Sequence, residues 1–359
     1  MANADKLMVA TRKGLFELHR SQEWRIDPPQ FLGEPASMVM SDPRDGTAYV
    51  ALNLGHFGAK LWRRDPGASQ WAPCAVPVYP PNSDDGKSWS LQQIWALEAG
   101  GPDEPGVLWA GTIPGGLFRS DDKGESWRLN TALWTRPERA EWFGGGYEQP
   151  GIHSVCVDPR DSRHVSIAVS CGGVWQTDDG GGAWTPTCRG MYADYMPPER
   201  RDDPIVQDPH RMVQCKSDPN TLWVQHHCGI YRSSDGGATW VRIFAQPSSF
   251  GFAVAVHPNS PETAWFVPGV KDEYRVPVDG RFVVARTDDG GASFVTLSNG
   301  LPNGPAYDLV YRHGLDIDET GRCLAMGSTT GALWLTDDGG EHWRCLSAHL
   351  PPIYAVRFG

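Results

Sequence analysis

A turn motif that recurs at a nearly constant interval limits the possible folds of this chain more than any other feature. Five segments have the form Ser/Thr-x-Asp-x-Gly-x-Ser/Thr-aromatic, with Ala183 and His342 each replacing one hydroxyl residue. They start at Ser120, Thr177, Ser233, Thr287 and Thr336. Successive starts are 57, 56, 54 and 49 residues apart, which indicates one four-stranded β-propeller blade with its loops per repeat.

Two weaker copies precede these five. The segment ending at Trp71 has one extra residue in its turn, and the segment ending at Trp24 keeps the strand and the tryptophan but lacks the Asp and Gly. A similar stretch at 82–89 ends only 18 residues beyond Trp71, too close for four more strands, so we assign it to an interblade loop. Seven aromatic residues thus close seven repeats: Trp24, Trp71, Trp127, Trp184, Trp240, Phe294 and Trp343.

The motif has a local structural explanation. An Asp carboxylate accepts hydrogen bonds from turn N–H groups, and the Gly adopts a backbone conformation that other residues resist. The aromatic residue then packs into the sheet or between blades. We therefore interpret the repeated aspartates as turn residues and not as catalytic acids.

The two ends of the chain complement each other. Residues 6–11 match the second strand of a blade that has no first strand before it, and residues 353–358 match an isolated first strand. We therefore predict an all-β, seven-bladed β-propeller with Asp-box turns, in which the C-terminal strand completes the first blade. Such closure removes the exposed sheet edges of an open array.

The whole chain, 1–359, is predicted to form a single propeller domain. Each blade is expected to run as four strands, with alternating or β-branched residues typical of half-buried sheets. The predicted blades span 6–27 plus 353–358, 36–74, 94–130, 153–187, 211–244, 252–297 and 310–347.

Composition narrows the classes of partner. The formal net charge of -11 argues against nucleic acid as a general partner, because like charges repel. No run of about 18 apolar residues predicts a membrane span, and the first ten residues do not resemble a secretory signal. Eight cysteines form no Cys-x-x-Cys pair, so we expect reduced core thiols in a cytoplasmic protein.

The longest loops are expected on one face of the predicted ring. First strands line the central channel, and the connections at one end of it are the second-to-third-strand turns and the interblade links. Binding sites are often built from such loops on a rigid scaffold. The long segments on this face are 72–93, 128–152, 186–210 and 268–281.

Histidines concentrate on the same face. His153 and His210 start the first strands of two blades, and His227 ends a second strand. Three imidazoles with a carboxylate can bind zinc or another divalent ion. The alternative is that these histidines only form hydrogen bonds within the channel mouth. If the protein is an enzyme, Glu148 or Glu273 is the expected acid/base.

Cations converge on this face as well. A basic channel mouth on an acidic protein favours a small polar or anionic ligand, such as a carboxylate or acidic sugar, whereas any single arginine can be a surface ion pair. Tyr147 and Trp142 are candidates for stacking against a sugar ring. The cationic candidates are Arg12, Lys13, Arg211, Arg275 and Arg312.

The repeated boxes resemble the BNR/Asp-box superfamily, which includes sialidases, sortilin-type receptors and photosynthetic assembly factors. The segments 11–16, 225–233 and 272–275 are similar to a bacterial group labelled sialidase-like or glycosyl hydrolase. This resemblance implies hydrolysis of a glycosidic bond. Sialidases carry Arg-Ile-Pro near the N-terminus; here the segment is Arg25-Ile26-Asp27, so sialidase activity itself is not expected.

Two classes of function remain open from the sequence. The leading hypothesis is a sialidase-like propeller with a polar small-molecule or glycan site, metal-binding or not, at the channel mouth, acting as a hydrolase. The alternative is a non-catalytic scaffold or assembly factor that binds proteins along the blade rims. Propellers support both, so the residues of the site must decide.

Overall fold

The closed ring of strands is described by a computed structural model, which covers residues 5–81 and 88–359. In these ranges 28 strands form seven four-stranded antiparallel sheets. The first four blades, each written from the channel outward, are β28 (Ile353–Phe358), β1 (Lys6–Thr11), β2 (Gly14–Arg20) and β3 (Trp24–Ile26); β4 (Ala36–Ser41), β5 (Ala48–Asn53), β6 (Ala59–Arg64) and β7 (Ala72–Cys74); β8 (Gln93–Ala99), β9 (Leu108–Ile113), β10 (Leu117–Ser120) and β11 (Arg128–Leu129); and β12 (Gly151–Val157), β13 (Val165–Ser170), β14 (Gly173–Thr177) and β15 (Thr185–Pro186).

The remaining three blades follow the same order, and short helical turns occur in the loops. The blades are β16 (Pro209–Gln214), β17 (Leu222–His226), β18 (Gly229–Ser233) and β19 (Val241–Ile243); β20 (Gly251–His257), β21 (Ser260–Pro268), β22 (Val284–Thr287) and β23 (Val295–Leu297); and β24 (Leu315–Ile317), β25 (Leu324–Gly327), β26 (Leu333–Thr336) and β27 (Arg344–Ser347). The helical turns are α1 (Thr131–Trp134) and the 3-10 turns Gly55–Phe57, Pro137–Glu141, Pro198–Arg200, Pro204–Val206 and Val278–Gly280. None of the helices in the described ranges has the length and apolar character needed to cross a membrane.

The C-terminal strand closes the ring. β28 pairs antiparallel with β1, with Val356 opposite Val9 and Phe358 opposite Leu7. On its other side β28 contacts the innermost strands of the neighbouring blades, β4 and β24. The prediction of a seven-bladed propeller whose first blade is completed by the C-terminal strand is therefore confirmed.

The core lies between adjacent sheets. Apolar residues of each blade pack on the next in clusters that follow the ring. Trp109, Trp223 and Trp265 occupy the second strands of three blades and are almost entirely buried. Since a buried indole removes a large apolar surface from water, these tryptophans fix the spacing of the blades.

The repeated turns hold themselves together by local hydrogen bonds. The carboxylate of Asp289 accepts from the backbone N–H of Ser293 (2.9 Å) and from the hydroxyl of Thr287 (2.9 Å). The N–H of Gly291 donates to that hydroxyl (2.9 Å), and Gly291 has a φ of 94°. The same bonds recur around Asp122 and Asp235. The 82–89 stretch falls largely outside the described residues, since 82–87 are not covered.

Ring closure can be tested on β28. Val356 is fully buried between blades, so Val356→Asp places an unpaired charge in the core. We expect the free energy of unfolding to fall by more than about 4 kcal/mol. Tyr354→Asp, at a more exposed position of the same strand, is the control and should cost less than about 1 kcal/mol. Equal losses in urea titrations would contradict closure by this strand.

The turn aspartates predict a specific acid dependence. Hydrogen bonds from Ser293 lower the pKa of Asp289 to about 2, below its value in the unfolded chain. Its stabilising contribution is therefore complete above about pH 4 and disappears as the pH falls through 2. Asp289→Asn should be less stable than wild type at pH 7, with the difference shrinking between pH 4 and pH 2 in thermal unfolding curves.

The matched control for this turn is Asp288→Asn, at the preceding residue. The Asp288 carboxylate pairs with Arg286 (3.0 Å) on the surface and takes no part in the turn. Exposed ion pairs contribute little, so this variant should track wild type. A pH-independent loss in Asp289→Asn would show that the ionised carboxylate does not hold the turn.

Candidate functional site

Two adjoining cavities open at the channel end where the innermost strands begin. The larger, about 870 Å³, is called the mouth cavity here, and its wall includes Arg12, Gln93, Trp95 and Tyr147. The smaller, about 300 Å³, is called the histidine cavity and is lined by Asp208, His210 and His227 among others. Both are lined by Gly146, Arg275 and Arg312, which therefore form their shared wall.

Arg312 is the most unusual residue of the mouth cavity. Its side chain is only 8% exposed, and the guanidinium carbon lies 4.6 Å from the ring centre of Trp95 and 5.6 Å from that of Phe252. Within the described chain its buried Nε has no hydrogen-bond partner, and no carboxylate lies within ion-pair distance. Burial lowers the pKa of Arg312, yet an arginine remains cationic. The cavity wall thus contains a desolvated cation with no directly paired carboxylate among the described residues, and Asp208 stabilises it only at longer range.

The other charges around the mouth cavity are mostly positive. Arg12 is exposed at its rim, and Arg275 donates from Nη2 to Asp272 (2.7 Å) while lying 5.3 Å from the Phe252 ring centre. Glu34 is the one carboxylate among the described residues that line this cavity. Three arginines against one glutamate make the mouth locally basic on an acidic protein.

The opposite wall offers aromatic faces and amide groups. Trp95 packs edge-on against Tyr147, with ring centres 5.1 Å apart. The Tyr147 hydroxyl and the Asn53 amide both donate to Oε1 of Gln93, at 3.4 and 3.1 Å. Tyr311 and Tyr354 complete this surface. Such a mixture of aromatic and polar groups suits the apolar faces and hydroxyls of a sugar ring.

In the histidine cavity one carboxylate lies between two imidazoles. Oδ2 of Asp208 is 3.4 Å from Nε2 of His210 and 3.4 Å from Nδ1 of His227. Its Oδ1 is held separately, by the backbone N–H of Cys171 (3.1 Å) and the hydroxyl of Ser170 (3.3 Å). The carboxylate is thus fixed on one side and open towards both histidines on the other.

The backbone sets the tautomer of His210. Its Nδ1 lies 2.7 Å from the carbonyl oxygen of Gly251, which can only accept, so Nδ1 carries the proton. The ring stacks on Phe252 at 4.5 Å. Burial lowers the pKa of His210, and Asp208, 3.4 Å from Nε2, opposes that shift.

The other pKa shifts in this cavity all involve the carboxylate of Asp208. Burial raises the pKa of Asp208, but His210, His227 and Arg312 outweigh it and hold that pKa well below its ordinary value. Burial lowers the pKa of His227, but Asp208 outweighs it, and the net pKa is raised. Burial and Asp208 together raise the pKa of Cys171, so its thiol is protonated and not a nucleophile.

His153, predicted as a metal ligand, lies apart from this cluster. It is completely buried, with Nε2 2.7 Å from the carbonyl oxygen of Pro209 and Nδ1 2.9 Å from Oγ of Ser154. Burial lowers its pKa well below the ordinary value. Because both ring nitrogens already contact protein groups, Asp208 takes the place that the sequence analysis gave to His153. The segment Asp208-Pro209-His210 was the sequence signal for it.

Two predicted substrate contacts also lie elsewhere. Trp142 is buried in the core and packs edge-on against Trp175, with ring centres 5.7 Å apart. Arg211 is half-buried in the channel, where it donates to the carbonyl oxygen of His153 (3.3 Å), and burial lowers its pKa to about 10. Neither lines one of the two cavities, whereas Arg12, Arg275 and Tyr147 line the mouth cavity.

The two predicted acid/base glutamates differ in position. Glu273 lines the histidine cavity with most of its side chain exposed and pairs with Lys271 (3.5 Å). A hydrogen bond from its own backbone N–H lowers the pKa of Glu273, so it is ionised at neutral pH. Glu148 is exposed and lines neither cavity. Asp208 was not singled out as a site residue from the sequence.

A further cavity of about 470 Å³ lies at the outer edge of the fifth and sixth blades. Its lining includes Arg232, Thr239, Phe244 and Ala292, and it contains neither histidine nor carboxylate. Its described lining lacks the carboxylates and imidazoles that line the other two cavities. We therefore place the candidate site at the channel mouth.

Comparison with known proteins finds distant relatives but gives no family assignment. No family model matches the chain. It is 25% identical to a xyloglucanase of Paenibacillus sp. over 236 residues, 59% of this chain and 21% of that protein. It is 23% identical to a sialidase of Bacteroides fragilis over 235 residues, 58% of this chain and 41% of that protein. The chain therefore matches less than half the length of either relative.

Solved structures agree on the architecture. An ancestral GH74 enzyme superposes with a TM-score of 0.60 at 18% identity, covering 86% of this chain and 38% of that one. YCF48 bound to D1 peptide superposes with a TM-score of 0.58 at 13% identity, covering 94% and 91%. At these identities the structures show the propeller fold alone. The sequence relatives are of the glycoside-hydrolase type.

The structural role of His153 gives a direct test. His153→Ala leaves the carbonyl of Pro209 unpaired and opens a cavity, so we expect a loss of about 2–4 kcal/mol in the free energy of unfolding. His349→Ala, at an exposed loop position, should change it by less than about 0.5 kcal/mol. Urea titration measures both. A neutral His153→Ala would show that this imidazole is not a structural group.

Proposed function

We propose that this propeller binds an acidic sugar in the mouth cavity and hydrolyses a glycosidic bond of it. The observation that carries the proposal is Arg312, a buried guanidinium that faces the cavity with no described carboxylate within ion-pair distance. The glycoside-hydrolase type of the sequence relatives supports the sugar, and Arg312 supports its negative charge.

A carboxylate on the ligand would pair with the buried positive charge of Arg312. A buried charge is costly unless it is paired and hydrogen-bonded, and here the protein provides two aromatic rings instead of an acid. Cation–π contacts with Trp95 and Phe252 hold the guanidinium plane without using its N–H donors. A planar carboxylate can then accept two parallel hydrogen bonds from it.

The rest of the mouth cavity fits the same ligand. Its volume of about 870 Å³ is within the range of small-molecule sites and accommodates one or two sugar units. Arg12 and Arg275 add positive charge, which attracts an anion to a protein whose formal net charge is -11. Trp95 and Tyr147 supply the aromatic surface for the ring.

Hydrolysis needs a group that activates water beside the bound sugar. Glu273 is ionised and lies on the histidine cavity, which shares a wall with the mouth cavity. A carboxylate in that state accepts a proton, so in this proposal Glu273 is the general base and not the acid. Glu148 lies outside both cavities and has no role in it.

The test is Arg312→Met, which keeps the length of the side chain and removes its charge. Binding is measured by calorimetry with methyl glucuronide, methyl galacturonide and methyl sialoside, each beside its neutral counterpart. Wild type should prefer at least one acidic member by about 10-fold or more, and Arg312→Met should lose about 10- to 100-fold in affinity for it. Fluorogenic glycosides of the preferred sugar then report hydrolysis.

The control is Arg25→Met, an exposed arginine on β3 at the outer edge of the first blade. It makes the same chemical change far from the channel and should leave binding unchanged. Because Arg312 has no ion pair to lose, Arg312→Met should also fold as stably as wild type. Equal affinity for acidic and neutral glycosides, or unchanged affinity in Arg312→Met, would overturn the proposal.

A further inference from the structure

We propose that Asp208, His210 and His227 bind one divalent transition-metal ion in the histidine cavity. Among residues 5–81 and 88–359 they form the one cluster of three potential ligands whose donor atoms all lie within 4.8 Å of one another. The inference goes beyond sugar binding, because it uses a different set of residues from the Arg312 site.

The distances match coordination better than hydrogen bonding. Oδ2 of Asp208 lies 3.4 Å from one nitrogen of each histidine, beyond the usual length of a hydrogen bond between charged groups. Two ligand atoms that are each about 2.0–2.1 Å from a tetrahedral zinc ion lie roughly 3.3–3.4 Å apart. Both carboxylate–imidazole distances therefore already have the spacing that a shared ion requires, and all three donor atoms lie within 4.8 Å of one another.

The lone pair on Nε2 of His210 is directed towards the position of the proposed ion. Nδ1 of His210 donates to the carbonyl of Gly251, so the lone pair of Nε2 and the carboxylate of Asp208 face each other as two acceptors. Two facing acceptors repel unless a cation or a proton lies between them. A backbone carbonyl on the far nitrogen is also the usual way in which a metal-binding imidazole is oriented.

The carboxylate of Asp208 has one oxygen atom free to bind an ion. The N–H of Cys171 and the hydroxyl of Ser170 occupy Oδ1 of Asp208 and leave Oδ2 for an ion. Gly145 passes close by: a Cβ there would lie 2.9 Å from Sγ of Cys171 and 3.4 Å from Oδ2. The absence of a side chain at this position keeps the space beside Oδ2 open to the cavity.

The ligand set indicates the class of ion. Two imidazoles and one carboxylate suit zinc or ferrous iron, whereas calcium and magnesium prefer oxygen ligands alone. Cys171 is not one of the three grouped ligands, and its backbone N–H supports Oδ1 of Asp208. Three protein ligands leave coordination positions for water or a ligand atom, as in catalytic zinc sites.

The test begins with the purified protein, whose zinc and iron are measured by mass spectrometry. The metal-free protein, prepared with a chelator, is then titrated with Zn²⁺ by calorimetry, and its Co²⁺ complex is recorded by absorption spectroscopy. Wild type should bind one ion per chain with a Kd below about 1 μM, and Co²⁺ should give visible bands typical of mixed nitrogen and oxygen ligation.

Single-ligand variants locate the ion. His227→Ala and His210→Ala should each weaken Zn²⁺ binding by at least about 100-fold and abolish the Co²⁺ bands. His227 is partly exposed, so His227→Ala is the variant expected to fold normally, as circular dichroism checks. His349→Ala, at an exposed loop position, is the control and should retain the stoichiometry and spectrum of wild type.

Two results would overturn the metal site. One is a wild-type protein that binds no stoichiometric Zn²⁺ and no iron, and the other is unchanged affinity in folded His227→Ala. Repeating the sugar titrations on metal-free protein separates this outcome from the function proposed above. If Zn²⁺ binding fails while acidic-sugar binding still depends on Arg312, the metal site alone is refuted and the proposed function stands.

Discussion

The pairing of β28 with β1 is the interaction on which the rest of the molecule depends. It joins residues more than 340 positions apart and gives every innermost strand a neighbour on each side. The ends of seven strands then meet around one axis at a fixed radius. Loops that are remote in sequence, such as 143–147 and 272–275, consequently line one pair of cavities.

A rigid ring allows the channel mouth to retain groups that are unfavourable by themselves. Arg312 is desolvated with no carboxylate of the described ranges within ion-pair distance, and Cys171 adopts a positive φ of 51° while its N–H supports Asp208. Such local costs persist only where the surroundings over-determine them, and they concentrate at functional sites. The mouth combines both features within one shared wall, which is why we locate function there and not at the outer cavity.

The charges continue down the channel. Burial raises the pKa of Glu98 and of Asp316, which face the cations Arg211 and Arg357. Arg357 in turn contacts Nδ1 of His313 (3.1 Å), a residue of the mouth cavity. The channel is thus lined by mutually compensating charges, whereas Arg312 at its mouth has no carboxylate within ion-pair distance in the part of the chain that the structure describes. This contrast is the reason for proposing that Arg312 binds a ligand.

The sequence by itself determined the number of blades, the closing strand and the structural nature of the repeated turns. These depend on short-range chemistry: a carboxylate, two glycine-favouring positions and an aromatic residue within eight positions, repeated at blade length. It also indicated which face carries the long loops, and so which arginines and histidines to consider. Only the tertiary structure decided which of those residues line the cavities and which have a structural role. His153 and Asp208 lie at equally suggestive positions, but side-chain direction and hydrogen-bond partners separate them, and these are set by neighbouring blades that no local pattern encodes. For the same reason Trp142 belongs to the core, and Arg312 lies between two rings contributed by other blades.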